Sequence, residues 1–137
     1  MLKEQKYSVL LASSNEKFDA VLLSLLPTDE FGPIDVVNSA GAARRALLNR
    51  PYDIFMVNAP LKDEMGARLA VDAASDTGAG VMLFIDAAKF DEMAPKVEEY
   101  GVLTLAKPTR RVLVTQSLRL ICATRQRLIR MEQKTQS

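Results

Sequence analysis

The sequence predicts a single α/β domain, a doubly wound sheet of five parallel strands in the order 2-1-3-4-5 with an extended C-terminal helix. Three observations predict it. Short apolar runs of strand length recur along the chain, at Ser8–Ala12, Val81–Ile85 and Val102–Ala106 among others, as expected of strands covered on both faces. Each run gives way to a segment with apolar residues at helical spacing, the alternation that builds parallel sheets. The length of 137 residues, 48% of them hydrophobic, suits one core rather than two.

The elements follow in order. Ser8-Val9-Leu10-Leu11-Ala12 is the first strand. Asn15 to Leu26 is a helix with Phe18, Val21, Leu22 and Leu25 on one face, ended by Pro27. Asp35-Val36-Val37 is a short second strand, and Ser39 is placed to cap a helix that runs to Arg50 with Ala43, Ala46 and Leu47 inward. Asp53 to Val57 is the third strand. Met65 to about Ala74 is a helix closed by the turn cluster Asp76-Thr77-Gly78-Ala79-Gly80. Val81 to Ile85 is the fourth strand, and Phe90 to Tyr100 a helix in which Pro95 is tolerable only early, with Gly101 as its C-cap glycine. Val102 to Ala106 is the fifth strand. A last helix starts near Thr109, and neither Gly nor Pro interrupts it up to Ser137. This is the flavodoxin-like pattern, whose functional crevice lies at the carboxyl ends of the strands.

Composition narrows the function. No histidine is present, which removes His-based acid/base chemistry and nucleophile pairs and most zinc sites. No metal cluster, nucleotide loop or catalytic pair is evident, and Gly78-Ala79-Gly80 fits a turn better than a phosphate cradle; the chain is expected to be no enzyme and to need no cofactor or metal. The lone Cys122 reads as a small buried hydrophobe rather than a reactive thiol. No apolar run is long enough for a bilayer and no signal peptide is evident, so a cytoplasmic setting without membrane contact or small-molecule substrate is expected. Charge is uneven: residues 1–106 carry 10 Lys/Arg against 16 Asp/Glu, a balance of −6, whereas residues 107–137 carry 8 against one, a balance of +7. A basic tail of this kind meets something acidic. Its charge would support nucleic-acid binding, but it has no aromatic residue for base stacking, so specific recognition by the tail itself is not expected.

The segment Pro51-Tyr52-Asp53-Ile54-Phe55-Met56-Val57-Asn58-Ala59-Pro60-Leu61, with Gly66 eight residues after Asn58, resembles the third strand and phosphoacceptor loop of bacterial response-regulator receiver (CheY-like) domains. The resemblance spans residues 7–121. It implies that Asn58 stands where receivers carry the aspartate that accepts a phosphoryl group, that Ser13 and Ser14 replace the acidic pair that helps hold Mg²⁺, and that Asp86 replaces the Thr or Ser that donates to the phosphoryl group. Thr104 takes the place of a switch Tyr or Phe, and Lys107, followed by Pro108, is the retained lysine. An amide has no nucleophilic carboxylate oxygen, and hydroxyls bind Mg²⁺ poorly without carboxylate support. Residues 1–123 therefore resemble a pseudo-receiver that has lost phosphotransfer. Asp86 and Lys107 are expected on adjacent strand ends, paired and bridged by Asn58, filling the empty phosphate site; a buried pair would cost a few kcal/mol to break and an exposed one under about 1. Asp53 is expected to be structural, and Asp63 and Glu64 to be solvated loop charges.

Residues 124–137 read as a helical extension. Val114, Leu118, Ile121, Leu128 and Met131 fall near a 3–4 spacing, with Arg125 interrupting, and suggest a short two-stranded seam and a homodimer. The run Leu118 to Lys134 is similar to the helix that joins a pseudo-receiver to an ANTAR module, a three-helix RNA-binding unit of transcription antiterminators. The implied function is a phosphorylation-independent regulatory module that signals through its last helix to an RNA-binding output absent from these residues. The alternative is a stand-alone adaptor that docks an acidic partner.

Overall fold

The computed structural model describes residues 6–136. Five parallel strands, β1 (Tyr7–Ala12), β2 (Phe31–Val37), β3 (Ile54–Asn58), β4 (Gly80–Asp86) and β5 (Leu103–Lys107), form one sheet in the order β2-β1-β3-β4-β5, as expected. They alternate with α1 (Glu16–Leu23), α2 (Ala40–Asn49), α3 (Ala67–Asp76), α4 (Ala87–Glu98) and α5 (Arg111–Gln136).

Strand alternation divides the core in two. Leu10, Ala12, Phe55, Val57, Leu83 and Ile85 pack with Ala40 and Ala43 of α2, Leu69, Ala70 and Ala73 of α3 and Val97 of α4. Val9, Leu11, Ile54, Met56, Met82 and Phe84 face Leu22 of α1 and Val114, Leu118 and Ile121 of α5. Residues of β1, β3 and β4 reach both clusters, which is why those strands read as continuous apolar runs. Each fully buried aliphatic side chain contributes about 1.5–3 kcal/mol of transfer free energy.

Several local signals act as expected. Ser39 caps α2 by accepting from the Ala42 amide. Asn15, read as the first residue of the helix, is instead the N-cap of α1 and accepts from the Phe18 amide. Gly101 follows α4 with φ of 84°. Three elements differ from expectation. Helix α1 ends at Leu23 rather than Leu26, with Ser24 as its C-cap. β2 begins at Phe31 rather than Asp35 and so contains Gly32 and Pro33; as an edge strand it tolerates a residue with no N–H, and its register with β1 shifts between Tyr7 and Val9. Helix α4 starts at Ala87 rather than Phe90, which puts exposed Pro95 well inside it.

Helix α5 has 26 residues and is about 39 Å long. Its buried contacts end at Ile121, and Arg125 and Gln126 then fasten the next turn. Arg125 pairs with Asp53 at 2.9 Å and also donates to the Gly78 carbonyl, while Asp53 accepts from the Ser8 amide at 2.8 Å. Gln126 donates to the Tyr7 hydroxyl at 2.9 Å. Asp53 is structural, as the sequence suggested. Val114, Leu118 and Ile121 lie in the domain's own core, so three of the five expected seam residues are unavailable to a second helix; only Leu128 and Met131 are exposed. The apolar spacing was the domain's own packing face, and Arg125 marks where that face meets the polar edge of the sheet.

Close packing of α5 on β4 requires Gly80. A Cβ there would lie 2.5 Å from Cγ2 of Ile121, a β-branched side chain that cannot easily turn away. Gly80→Ala should lower stability by about 1–3 kcal/mol in urea unfolding. Gly41→Ala in α2, where the new Cβ would meet Arg45 at 3.5 Å and Asp63 at 3.6 Å, should be neutral or stabilising.

Candidate functional site

The strand order places the carboxyl ends of β1, β3, β4 and β5 side by side, and the candidate residues lie there. Asn58 ends β3 and is 4% exposed. Its amide nitrogen donates to Ser13 Oγ at 3.1 Å, and its Oδ1 accepts from Lys107 Nζ at 2.6 Å. An ammonium can only donate, so Lys107 fixes which way the amide points. Lys107 also donates to the Ala59 carbonyl at 2.6 Å and lies 5.9 Å above the Phe18 ring, which in turn sits edge-on to Phe84. Ser13 Oγ additionally accepts from the Asn15 amide at 3.3 Å. The Lys107–Pro108 peptide is cis.

Asp86 differs from expectation. Its carboxylate is 3.6 Å from Lys107 but 59% exposed, against 19% for the lysine, and no hydrogen bond joins it to Asn58 among the described residues. Lys107, not Asn58, is the shared centre: Asn58 and Ala59 hold its buried side, and Asp86 screens its solvent side. Asp86 stands at the N-cap of α4 yet makes no side-chain capping bond.

Four of the six expected site residues, Asn58, Ser13, Lys107 and Asp86, thus meet. Ser14 is exposed at the rim, and Thr104 lies earlier on β5, alternating away from Leu103 and Leu105; neither bonds to the other four among the described residues. Two contributors went unread in the sequence. The Ala59 carbonyl is backbone and carries no residue signal. Phe18 read only as a core position of α1.

Asp63 and Glu64 are not free loop charges. Asp63 accepts from the Ala40 and Gly41 amides at 2.8 and 3.0 Å, a cap on α2 supplied from a distant loop. Those amides hold its carboxyl below the usual carboxylate range. Its stabilisation is therefore complete above the ordinary carboxylate pKa and is lost only as pH falls through the lower folded value. Glu64 pairs with Arg44 at 3.1 Å, and Arg44 also reaches Asp72 of α3 at 2.8 Å. The loop after Asn58 is thereby tied to α2 and α3. Gly66 closes it with φ of 106°, and a Cβ there would press on Val57 and Ala59 at 3.2 Å.

Solved structures similar to this one include receiver domains. A signal receiver domain of an HD domain-containing protein from Pseudomonas fluorescens superposes with a TM-score of 0.79 at 19% identity, covering 95% of this chain and 96% of that one. The fold is that of a response-regulator receiver domain. The receiver domain of the TMAO respiratory regulator TorR gives a TM-score of 0.72 at 19% identity over 85% of this chain and 98% of that one. A redox sensor of streptococci, from a family evolved from two-component response regulators, gives 0.77 at 19% identity over 91% of this chain, which spans 55% of that one. No protein-family profile and no curated protein sequence matches the chain. The receiver fold implies Mg²⁺, and the residues here do not fit it: Ser13 and Ser14 offer hydroxyls, Asn58 an amide, and Ser13 Oγ and Asn58 Oδ1 are already engaged.

Removing the ammonium leaves two inward-facing acceptors unpaired, whereas removing Asp86 strips one exposed partner. Lys107→Met should cost about 1–3 kcal/mol and Asp86→Ala less than about 1, read from urea midpoints. Equal losses would contradict this division.

Proposed function

We propose that the chain is a phosphorylation-independent regulatory module of a bacterial response regulator, acting in the cytoplasm. The observation that carries this reading is the Lys107 ammonium held at 2.6 Å by both Asn58 Oδ1 and the Ala59 carbonyl. In a working receiver that lysine must be available to a phosphoryl group; here its inward donors already have partners and the acceptor side chain is an amide. Asn58→Asp would restore a carboxylate but not the two acidic residues needed beside it for Mg²⁺. Incubated with Mg²⁺ and a small acyl-phosphate or phosphoramidate donor, both the native chain and N58D should show no phosphoryl adduct in the intact mass. An adduct on the native chain would overturn the reading.

Signal transfer through α5 to an RNA-binding output of the ANTAR type is the favoured continuation. Dimerisation would use an outward stripe rather than the one the sequence suggested: Leu113, Leu120, Leu128 and Met131, all exposed, fall on one face at steps of three and four with Ser117 and Thr124 between them. Leu120→Glu together with Leu128→Glu should convert a dimer to a monomer in sedimentation equilibrium without changing the melting temperature. A native chain that is monomeric at high micromolar concentration would favour the stand-alone adaptor instead. A redox role like that of the streptococcal neighbour is less well supported. Cys122 is half-buried, and burial, followed by the Glu30 and Asp53 charges, pushes its thiol up, away from the reactive thiolate.

A further inference from the structure

Helix α5 carries a second exposed feature, distinct from its apolar stripe. Arg119, Arg127, Arg130 and Lys134 follow one another, with Ala123 completing the row, at steps of four, four, three and four residues, and so share one face over about 22 Å. All four cations are exposed, and among the described residues none has an acidic partner. Glu132, the lone acid of α5, is not in this row. Arg125, by contrast, points to the core-facing side and is neutralised by Asp53. Three of the four cations lie beyond Ile121, where the helix has left its own hydrophobic core.

We infer that this row binds the phosphate backbone of duplex DNA, without base specificity. Three cations within about 11 Å of helix and a fourth about 12 Å before them, with no large apolar side chain in the row, match a repeating anionic lattice better than a protein partner, whose binding energy concentrates in a few buried aromatic or aliphatic contacts. Three of the four cations are arginines, whose planar forks suit phosphate oxygens. A membrane surface fits less well, since the neighbouring apolar stripe is interrupted by Ser117 and Thr124 and contains no aromatic residue. Single strands are disfavoured because α5 has no aromatic ring on which successive bases could stack. A-form RNA hides its major groove from side chains. The major groove of B-form DNA, about 12 Å wide, admits a helix of about 10–12 Å diameter and presents phosphates along both walls. This goes beyond the regulatory reading and does not depend on it or on helix pairing.

The test is fluorescence anisotropy of the full 137-residue chain with a labelled duplex of about 20 base pairs, two helical turns. Contact with three or four phosphates predicts a log–log salt slope of about −2.7 to −3.6, an affinity loss of about 40- to 150-fold between roughly 50 and 200 mM salt. In R127Q/R130Q/K134Q the slope should fall to about −0.9, with the melting temperature unchanged because all three side chains are exposed. No duplex binding at about 50 mM salt, or an unchanged slope in the triple variant, overturns the inference. So does tighter binding to single strands, polyglutamate or anionic lipid vesicles than to the duplex.

Discussion

A single ammonium group organises the functional end of this fold. Lys107 Nζ ties the carboxyl end of β5 to that of β3 across β4, by two hydrogen bonds of 2.6 Å to Asn58 and to the Ala59 backbone. Other details follow from it. The Asn58 amide can point only one way, so its nitrogen must find Ser13 at the end of β1. Asp86 sits where it could cap α4, yet its carboxylate lies 3.6 Å from the lysine and makes no capping bond. An internal polar network of this kind is tolerable because its buried members are satisfied. The same satisfaction leaves little for a phosphoryl group to gain.

The opposite end of the sheet shows a second, independent fastening. Arg125 to Asp53, Asp53 to Ser8 and Gln126 to Tyr7 hold α5 a full turn past its last core residue. The helix therefore leaves the domain in a fixed direction, with two different outward faces. One is apolar, through Leu113, Leu120, Leu128 and Met131, and the other is cationic, through Arg119, Arg127, Arg130 and Lys134. A helix built this way can carry a protein contact and an anionic contact without the two competing for the same side chains.

Much of this was legible in the sequence, for physical reasons that can be named. Strands buried on both faces leave apolar runs such as Val81–Ile85, and a cap such as Ser39 leaves a polar residue at a fixed offset. The meeting of Asn58 with Lys107 followed from strand order alone. What failed depended on facts no local pattern carries. Whether Asp86 was buried turned on its place at the mouth of the sheet. Asp63 read as solvated because the amides it caps belong to α2, 22 and 23 residues earlier. The α5 spacing of three and four was real, but periodicity does not say whether a face meets its own sheet or another helix, and Val114, Leu118 and Ile121 met the sheet.

The most direct test of the central claim is the solvent exchange of the Lys107 side chain, read by ¹⁵N–¹H NMR of the ammonium group. Bound at 2.6 Å by two inward acceptors, its protons should exchange slowly enough to give a resolved ζ resonance, and Asn58→Ala should abolish that protection. A ζ signal broadened beyond detection like that of exposed Lys62, or one unaffected by loss of the Asn58 amide, would contradict the account.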